Sequence, residues 1–314
     1  MKALVIGGAG FVGRHLIEYL YSLGNIEVFA TKLETEIINL DCIKESNIIT
    51  LNILDHEQVE RTINNIKPNY VFHLAAQSSV SLSWERPLLT YNVNILGTIN
   101  ILESVKKHSK NSRVLVTGSA EEYGIVSKND LPINEELSIK PCNHYAISKA
   151  SQEMASRLYF EHDGVDIIMV RAFNQLGPGQ DERYVIPDFV KQLVKIKNQK
   201  QKPEIFVGNI DITRDFTDVR DVVKGYYSLM IKGISGEIYN IGSGKGTRLG
   251  YILEQLFIIT GIKAEIIVSK QKFRPNDIEV LYSDISKIKK DTGWAPLISL
   301  EQSLEDIYNY EKLR

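Results

Sequence analysis

Lys2-Ala-Leu-Val-Ile-Gly-Gly-Ala-Gly-Phe-Val-Gly13 opens the chain with a β-rich run, a glycine-rich turn and the first residues of a helix. Gly7, Gly10 and Gly13 stand at G-x-x-G-x-x-G spacing. A chain that turns this sharply from strand to helix, and lets a pyrophosphate reach its backbone, has no room for a Cβ at those positions. Phe11 to Leu23 then carries Val12, Leu16, Leu20 and Leu23 on one face and stops at Gly24. Strand, glycine turn and amphipathic helix together predict an anion site at the helix N-terminus, the dinucleotide pattern.

Working outward, further β-rich runs fall at Glu27–Ala30, Ile48–Leu51, Tyr70–Leu74, Arg113–Thr117 and Asp166–Val170. Helical patterns separate them: one opened by Asp55 with Gln58 in the manner of a capping box, then Asn92–His108 and His144–His162. Strands alternating with helices imply right-handed crossovers and a doubly wound parallel sheet, the Rossmann arrangement. After Arg171 the rhythm loosens. Gly177-Pro-Gly179 reads as a loop, and a helix is expected after Pro187. Strands are expected at Ile205–Val207 and Glu237–Ile241, and helices at Val219–Lys232, Leu249–Thr260 and Ser299–Leu313. The predicted organisation is an α/β dinucleotide-binding domain over 1–170 and a second, smaller α/β substrate domain over 171–314, with some later segments crossing back to the first.

The chain has 314 residues and a net charge of −2, with 24% charged and 43% hydrophobic residues. That length buries a sizeable core without staples. The near-neutral balance gives no electrostatic footprint for nucleic acid. No leader-like stretch and no apolar run of membrane-spanning length is read, so a cytoplasmic location is expected. Cys42 and Cys142 lack metal-ligand spacing and read as reduced thiols, and no metal site is expected.

The second run ends at Ala30-Thr31-Lys32, where an NAD-selective site usually carries Asp or Glu for the ribose 2′-hydroxyl. A hydroxyl and a cation suit a 2′-phosphate, so NADP(H) is favoured over NAD(H). The alternative is a solvated Lys32, with Glu34 or main chain holding the ribose. Asn52, Ile53, Leu74, Ala75 and Ala76 are further cofactor-binding candidates.

Tyr145 and Lys149 form Y-x-x-x-K, a spacing that puts both on one helix face. An ammonium near a phenol lowers its pKa and makes it a usable acid or base. Tyr308 and Lys312 share the spacing but lack an upstream strand-end hydroxyl, and are read as surface helix. Ser119 supplies that hydroxyl to Tyr145 from the end of the Arg113–Thr117 strand, where it can hydrogen-bond a substrate oxygen; the alternative is a loop or N-cap serine.

With Gly7–Gly13, Ser119, Tyr145-Ala-Ile-Ser-Lys149 and Arg171-Ala-Phe-Asn174 in place, the sequence resembles the extended short-chain dehydrogenase/reductases, and within them the GDP-mannose 4,6-dehydratase branch. Ser119–Gly124, Arg171–Gln180, Val207–Val223, Tyr239–Gly244, Phe273–Asp284 and Asp291–Pro296 carry the likeness over essentially the whole chain. The resemblance implies that Tyr145 protonates the C4 ketone oxygen of a nucleotide-sugar, Lys149 binds the nicotinamide ribose and Ser119 orients the ketone. It implies substrate contacts from Asn174, Val185, Arg214, Arg274 and Asp277, with the two arginines on the pyrophosphate. It also implies a homodimer built through the Asn92 and Tyr145 helices.

Glu121 falls where the dehydratases carry the glutamate that removes the C5 proton, and is a possible catalytic residue. Two departures favour a reductase of the branch. Dehydratases read GQDG where this chain has Gly10-Phe-Val-Gly13, and they carry an arginine pair after the second strand that Thr31–Ile38 lacks. The expected reaction is NAD(P)H-dependent reduction of the C4 ketone of a GDP-4-keto-6-deoxy-sugar, forming GDP-D-rhamnose. The alternatives are the 4,6-dehydratase, a C4 epimerase and, remotely, a cofactor-sensing regulator.

Overall fold

The computed structural model describes residues 1–273 and 278–314. Its strands, in chain order, are β1 (Lys2–Ile6), β2 (Glu27–Lys32), β3 (Ile48–Thr50), β4 (Tyr70–His73), β5 (Arg113–Ser119), β6 (Asp166–Ala172) and β7 (Asn174–Leu176). There follow β8 (Glu204–Val207), β9 (Thr213–Asp218), β10 (Ile238–Ile241), β11 (Gly246–Arg248), β12 (Glu265–Val268) and β13 (Val280–Leu281). The helices are α1 (Phe11–Ser22), α2 (His56–Ile66), α3 (Val80–Glu85), α4 (Pro87–Tyr91), α5 (Gly97–His108) and α6 (His144–Asp163). The remainder are α7 (Val185–Lys197), α8 (Val219–Lys232), α9 (Leu249–Thr260), α10 (Ser286–Thr292) and α11 (Leu300–Lys312).

A seven-stranded sheet runs β10-β6-β5-β4-β1-β2-β3, every pairing parallel. Alternation along its strands divides the core. Ala3, Val5 and Leu115 face a layer with Leu16, Ile17 and Leu20 of α1 and Val222, Tyr226 and Leu229 of α8. Leu4, Ile6, Val114 and Val116 face the opposite layer, with Val59 and Ile63 of α2 and Ile101 and Val105 of α5. The strand order reverses between β1 and β4, so the crevice for a ligand opens at their carboxyl ends.

The second lobe is built around β9, which pairs antiparallel with β11 and parallel with β7 and β13, beside a separate β8–β12 pair. Phe189 and Val190 of α7, Leu253 and Leu256 of α9, and Leu304 and Ile307 of α11 close its core. The chain does not complete one lobe before the other. It leaves after Phe173, returns for α8 and β10, departs again, and sends Ile288 and Trp294 back into the first core before ending in α11.

The helix expected after Pro187 begins at Val185, with the proline in its first turn, where a missing N–H costs nothing. The helix expected from Asn92 begins as a π turn over Asn92–Leu96. Tyr308 is not a surface residue: it is 5% exposed in the second core, and its hydroxyl accepts from Lys197 Nζ at 2.9 Å.

Candidate active site

The glycine loop is locked from several sides. Gly7 has φ +91°, and a Cβ there would meet the main chain of Ala75 at 2.8 Å. A Cβ on Gly13 would run into the Gly7 carbonyl and lie 2.8 Å from Gly8 Cα. The loop thus forms a cradle at the start of α1 that side chains would fill, which suits a pyrophosphate. Leu74 N and Ala75 N both donate to Ile6 O, at 3.0 and 2.9 Å, which brings the Leu74–Ala76 loop alongside.

Thr31 does not face outward. It is 2% exposed, and its Oγ1 accepts from Gly7 N at 3.1 Å, so it shapes the loop. This corrects the place given to it at a 2′-phosphate. Lys32 is half-buried, its ammonium on Leu33 O at 3.3 Å, and is the cation left at that strand end. Phe11 and Val12 are half-buried in the first turn of α1. Asn52 is exposed, whereas Ile53 is buried beneath Gly97.

Ser119 closes β5 and caps a short 3₁₀ turn, Ala120–Tyr123. Asn143 caps α6 through Ala146 N at 2.8 Å, which sets Tyr145 and Lys149 on the helix's first turns. All three predicted residues are buried, and the Ser119 hydroxyl is within hydrogen-bonding reach of the Tyr145 phenol. Burial pushes that phenol well above its ordinary value, and the neighbouring Ser119 hydroxyl acts against this. Lys149 donates to Thr117 O at 2.7 Å and Gln152 Oε1 at 2.9 Å. Burial draws its ammonium down to about 8, opposed by the charge of Glu122. The group that lowers the phenol is therefore Ser119. The expected ammonium is occupied by a strand carbonyl and a neighbouring amide. Thr117 Oγ1 in turn donates to His73 O at 2.8 Å, tying this cluster to β4.

Glu121 stands beside the cluster, its Oε2 accepting from Asn143 Nδ2 at 3.1 Å. Asn174 is exposed at the start of β7, and Val185 is half-buried at the start of α7. Arg214 is 6% exposed on β9 and donates to Thr213 O at 3.0 Å. Arg274 and Asp277 lie outside the described residues.

Sequence reasoning missed several groups. Tyr184 bonds Ser78 across the cleft at 3.1 Å, and its phenol stands near Tyr145. Asn94, fully buried in the π turn, holds both Gln77 and Ser148, fixing α6 against the loop after β4. Behind Ser119, Arg171 forms a bidentate pair with Glu153 at 2.7 and 2.9 Å and lies over the Tyr123 ring. The sequence marked Arg171 only as the start of the Arg171–Asn174 stretch and did not mark Glu153; their pairing shows only once both are seen buried.

A parallel sheet of this order, with a glycine loop at its switch point and Ser119, Tyr145 and Lys149 gathered nearby, defines an extended short-chain dehydrogenase/reductase. The model of the GDP-mannose 4,6 dehydratase family matches residues 4–307. The chain belongs to that family. It is 34% identical to the GDP-6-deoxy-D-mannose reductase of Pseudomonas aeruginosa, over 76% of this chain and 79% of that one. It is 33% identical to a putative UDP-glucose 4-epimerase of Methanocaldococcus jannaschii over 98% of both. The solved structure of RMD from Pseudomonas aeruginosa complexed with NADPH superposes with a TM-score of 0.87 at 29% identity, covering 99% of each chain.

Proposed function

We propose that the protein reduces the C4 ketone of a GDP-4-keto-6-deoxy-sugar with NADPH. The observation that carries this reading is the burial of Ser119, Tyr145 and Lys149 together at the carboxyl end of β5, two strands from the glycine loop. Likeness to a GDP-sugar reductase and to a structure holding NADPH supports the choice of substrate and cofactor. Gly7, Gly10 and Gly13, with Phe11, Val12, Lys32 and the Leu74–Ala76 loop, would hold the dinucleotide. When bound, the nicotinamide supplies the hydride.

The protein's own part is proton movement and orientation. Ser119 Oγ holds the ketone oxygen, and Tyr145 donates its proton there as negative charge develops. Lys149, held on Thr117 O and Gln152 Oε1, would bind the nicotinamide ribose. The lobe formed mainly by 171–314 takes the nucleotide, with Arg214 on the pyrophosphate and Asn174 and Val185 lining the entrance. Among the described residues no helix is long and apolar enough to cross a membrane. Leu88, Leu96, Ile147, Met154 and Leu158 expose apolar side chains on the adjoining α4, π turn and α6, which supports a homodimer through these helices.

Glu121, held by Asn143 beside the cluster, favours a second reading as a 4,6-dehydratase, and the full-length likeness to an epimerase favours a third. Cofactor traffic separates them. The purified protein given GDP-4-keto-6-deoxymannose should oxidise NADPH one-for-one with product. Product formed from GDP-mannose alone, or an epimerised nucleotide-sugar with no net NADPH loss, refutes the reductase.

A further inference from the structure

We propose that Ser78 and Tyr184 set sugar specificity: their paired hydroxyls, one from each side of the cleft, take a ring hydroxyl of the glycosyl group of a nucleotide-sugar. This rests on the reading above that the ligand is a nucleotide-sugar, and names the groups that meet its sugar. Ser78 Oγ and Tyr184 Oη lie 3.1 Å apart, although 106 positions separate them in the chain. Ser78 belongs to the loop after β4 of the large sheet, and Tyr184 is the N-cap residue of α7 in the second lobe.

Each hydroxyl is placed by its own side of the cleft. Asn94 accepts from Gln77 N at 2.8 Å and donates to Gln77 O at 3.1 Å. Ser79 N donates to Gln77 Oε1 at 2.7 Å, and the Ser79 hydroxyl caps α3 through Leu82 N. Ser78 is thus clamped by both chain neighbours while it stays exposed itself. Asn94 also donates to Ser148 Oγ, which donates to Tyr145 O at 2.7 Å, so this loop is fixed to the helix that carries the phenol. Opposite, Tyr184 N donates to Asp181 O at 3.1 Å and Tyr184 O accepts from Asp188 N at 3.0 Å. The charges of that turn pair among themselves, Asp181 with Arg183 and Glu182 with Lys191. A bond between two hydroxyls that water can reach adds little to stability, so it does not serve to hold the lobes together. Each hydroxyl both donates and accepts. With one hydrogen spent between them, the pair still offers an O–H and several lone pairs and carries no charge, which complements a sugar hydroxyl. Groups already held in place lose little freedom when a ligand binds. The Tyr184 phenol also stands near Tyr145, at the reacting end of the cleft.

The test uses Tyr184→Phe and Ser78→Ala, each of which deletes a single oxygen outside the core. Isothermal titration calorimetry compares GDP-mannose with GDP, and UDP-glucose with UDP, in both variants and the unaltered protein. Each variant should bind GDP-mannose about three- to tenfold more weakly, the worth of one neutral hydrogen bond, and GDP within about twofold of the unaltered protein. NADPH affinity, read by fluorescence, should also stay within about twofold. Equal weakening of GDP and GDP-mannose, matching weakening of NADPH, or no weakening of GDP-mannose in either variant overturns the proposal. The same selective loss found with UDP-glucose over UDP instead supports the pair and refutes the guanine assignment. Selective loss in a protein that oxidises no NADPH with GDP-4-keto-6-deoxymannose supports the pair and refutes the reductase reading alone. An unaltered protein that binds none of the four nucleotides overturns both.

Discussion

Asp215 offers the sharpest test of how the second lobe is organised. Its fully buried carboxylate accepts from Ser243 N and Oγ at 2.6 Å each, Gly244 N at 3.2 Å, and Ser283 N and Oγ at 3.1 and 2.6 Å. One side chain on β9 therefore holds both the loop after β10 and the segment after β13. In Asp215→Ala the serine hydroxyls can turn to other acceptors, but the main-chain N–H groups cannot. Each such donor left dry costs about 1–3 kcal/mol. Ser283 N is sealed, while Ser243 and Gly244 are half-buried and reach water in part. The expected loss is about 3–5 kcal/mol, read from urea unfolding at neutral pH. Asp215→Asn keeps one acceptor but turns an NH2 toward donors, and should lose about 2 kcal/mol. Because the glycine loop sits on the other lobe, the asparagine variant should raise the nucleotide-sugar KM at least about fivefold and leave NADPH affinity within about twofold. A stability loss under about 1 kcal/mol for alanine, or equal weakening of both ligands in the asparagine variant, would refute this reasoning.

Tyr145→Phe should reduce kcat by about a thousandfold or more while NADPH fluorescence titration shows nearly native affinity; substantial residual turnover would remove Tyr145 from the chemistry. Gly13→Ala places a Cβ against the Gly7 carbonyl and 2.8 Å from Gly8 Cα. It should weaken NADPH binding by about tenfold or more and cost about 1–3 kcal/mol, since backbone must move. His73 is fully buried, and burial, then the Lys149 charge, lower its ring to about 3. The unfolded chain binds that proton near pH 6.5, so the stabilising contribution is complete above 6.5 and is lost as pH falls from there toward 3. The loss is about 1.4 kcal/mol per pH unit from this group. His73→Gln should show a shallower loss of stability between pH 6.5 and 5 in denaturant titrations.

The strands of the large sheet were legible because apolar β-rich runs of adequate length recur between helices. β9 was not, since Thr213-Arg-Asp-Phe-Thr-Asp218 reads as a polar loop until one sees Arg214, Asp215 and Asp218 buried. Ser303 and Arg220 absorb Asp218, as the serine loops absorb Asp215. β7, β11 and β13 are too short for any period to register. Tyr308 was misread because four-residue spacing says which residues share a face but not whether that face meets the core. At the site, Ser119, Tyr145 and Lys149 were visible as a spaced set. Asn143 and Gln152 were not, because their roles depend on which groups each meets after folding.

The repeated passage of the chain between lobes bears on how the cleft can move and how the molecule can be cut. Several peptide connections span it, at Phe173–Asn174, Asp218–Val219, Ile241–Gly242 and again around α10. Opening is therefore confined to a hinge rotation about these tethers. Neither half can be excised as a portable module, because severing at 171 strips the large sheet of β10 and leaves an edge of β6 bare.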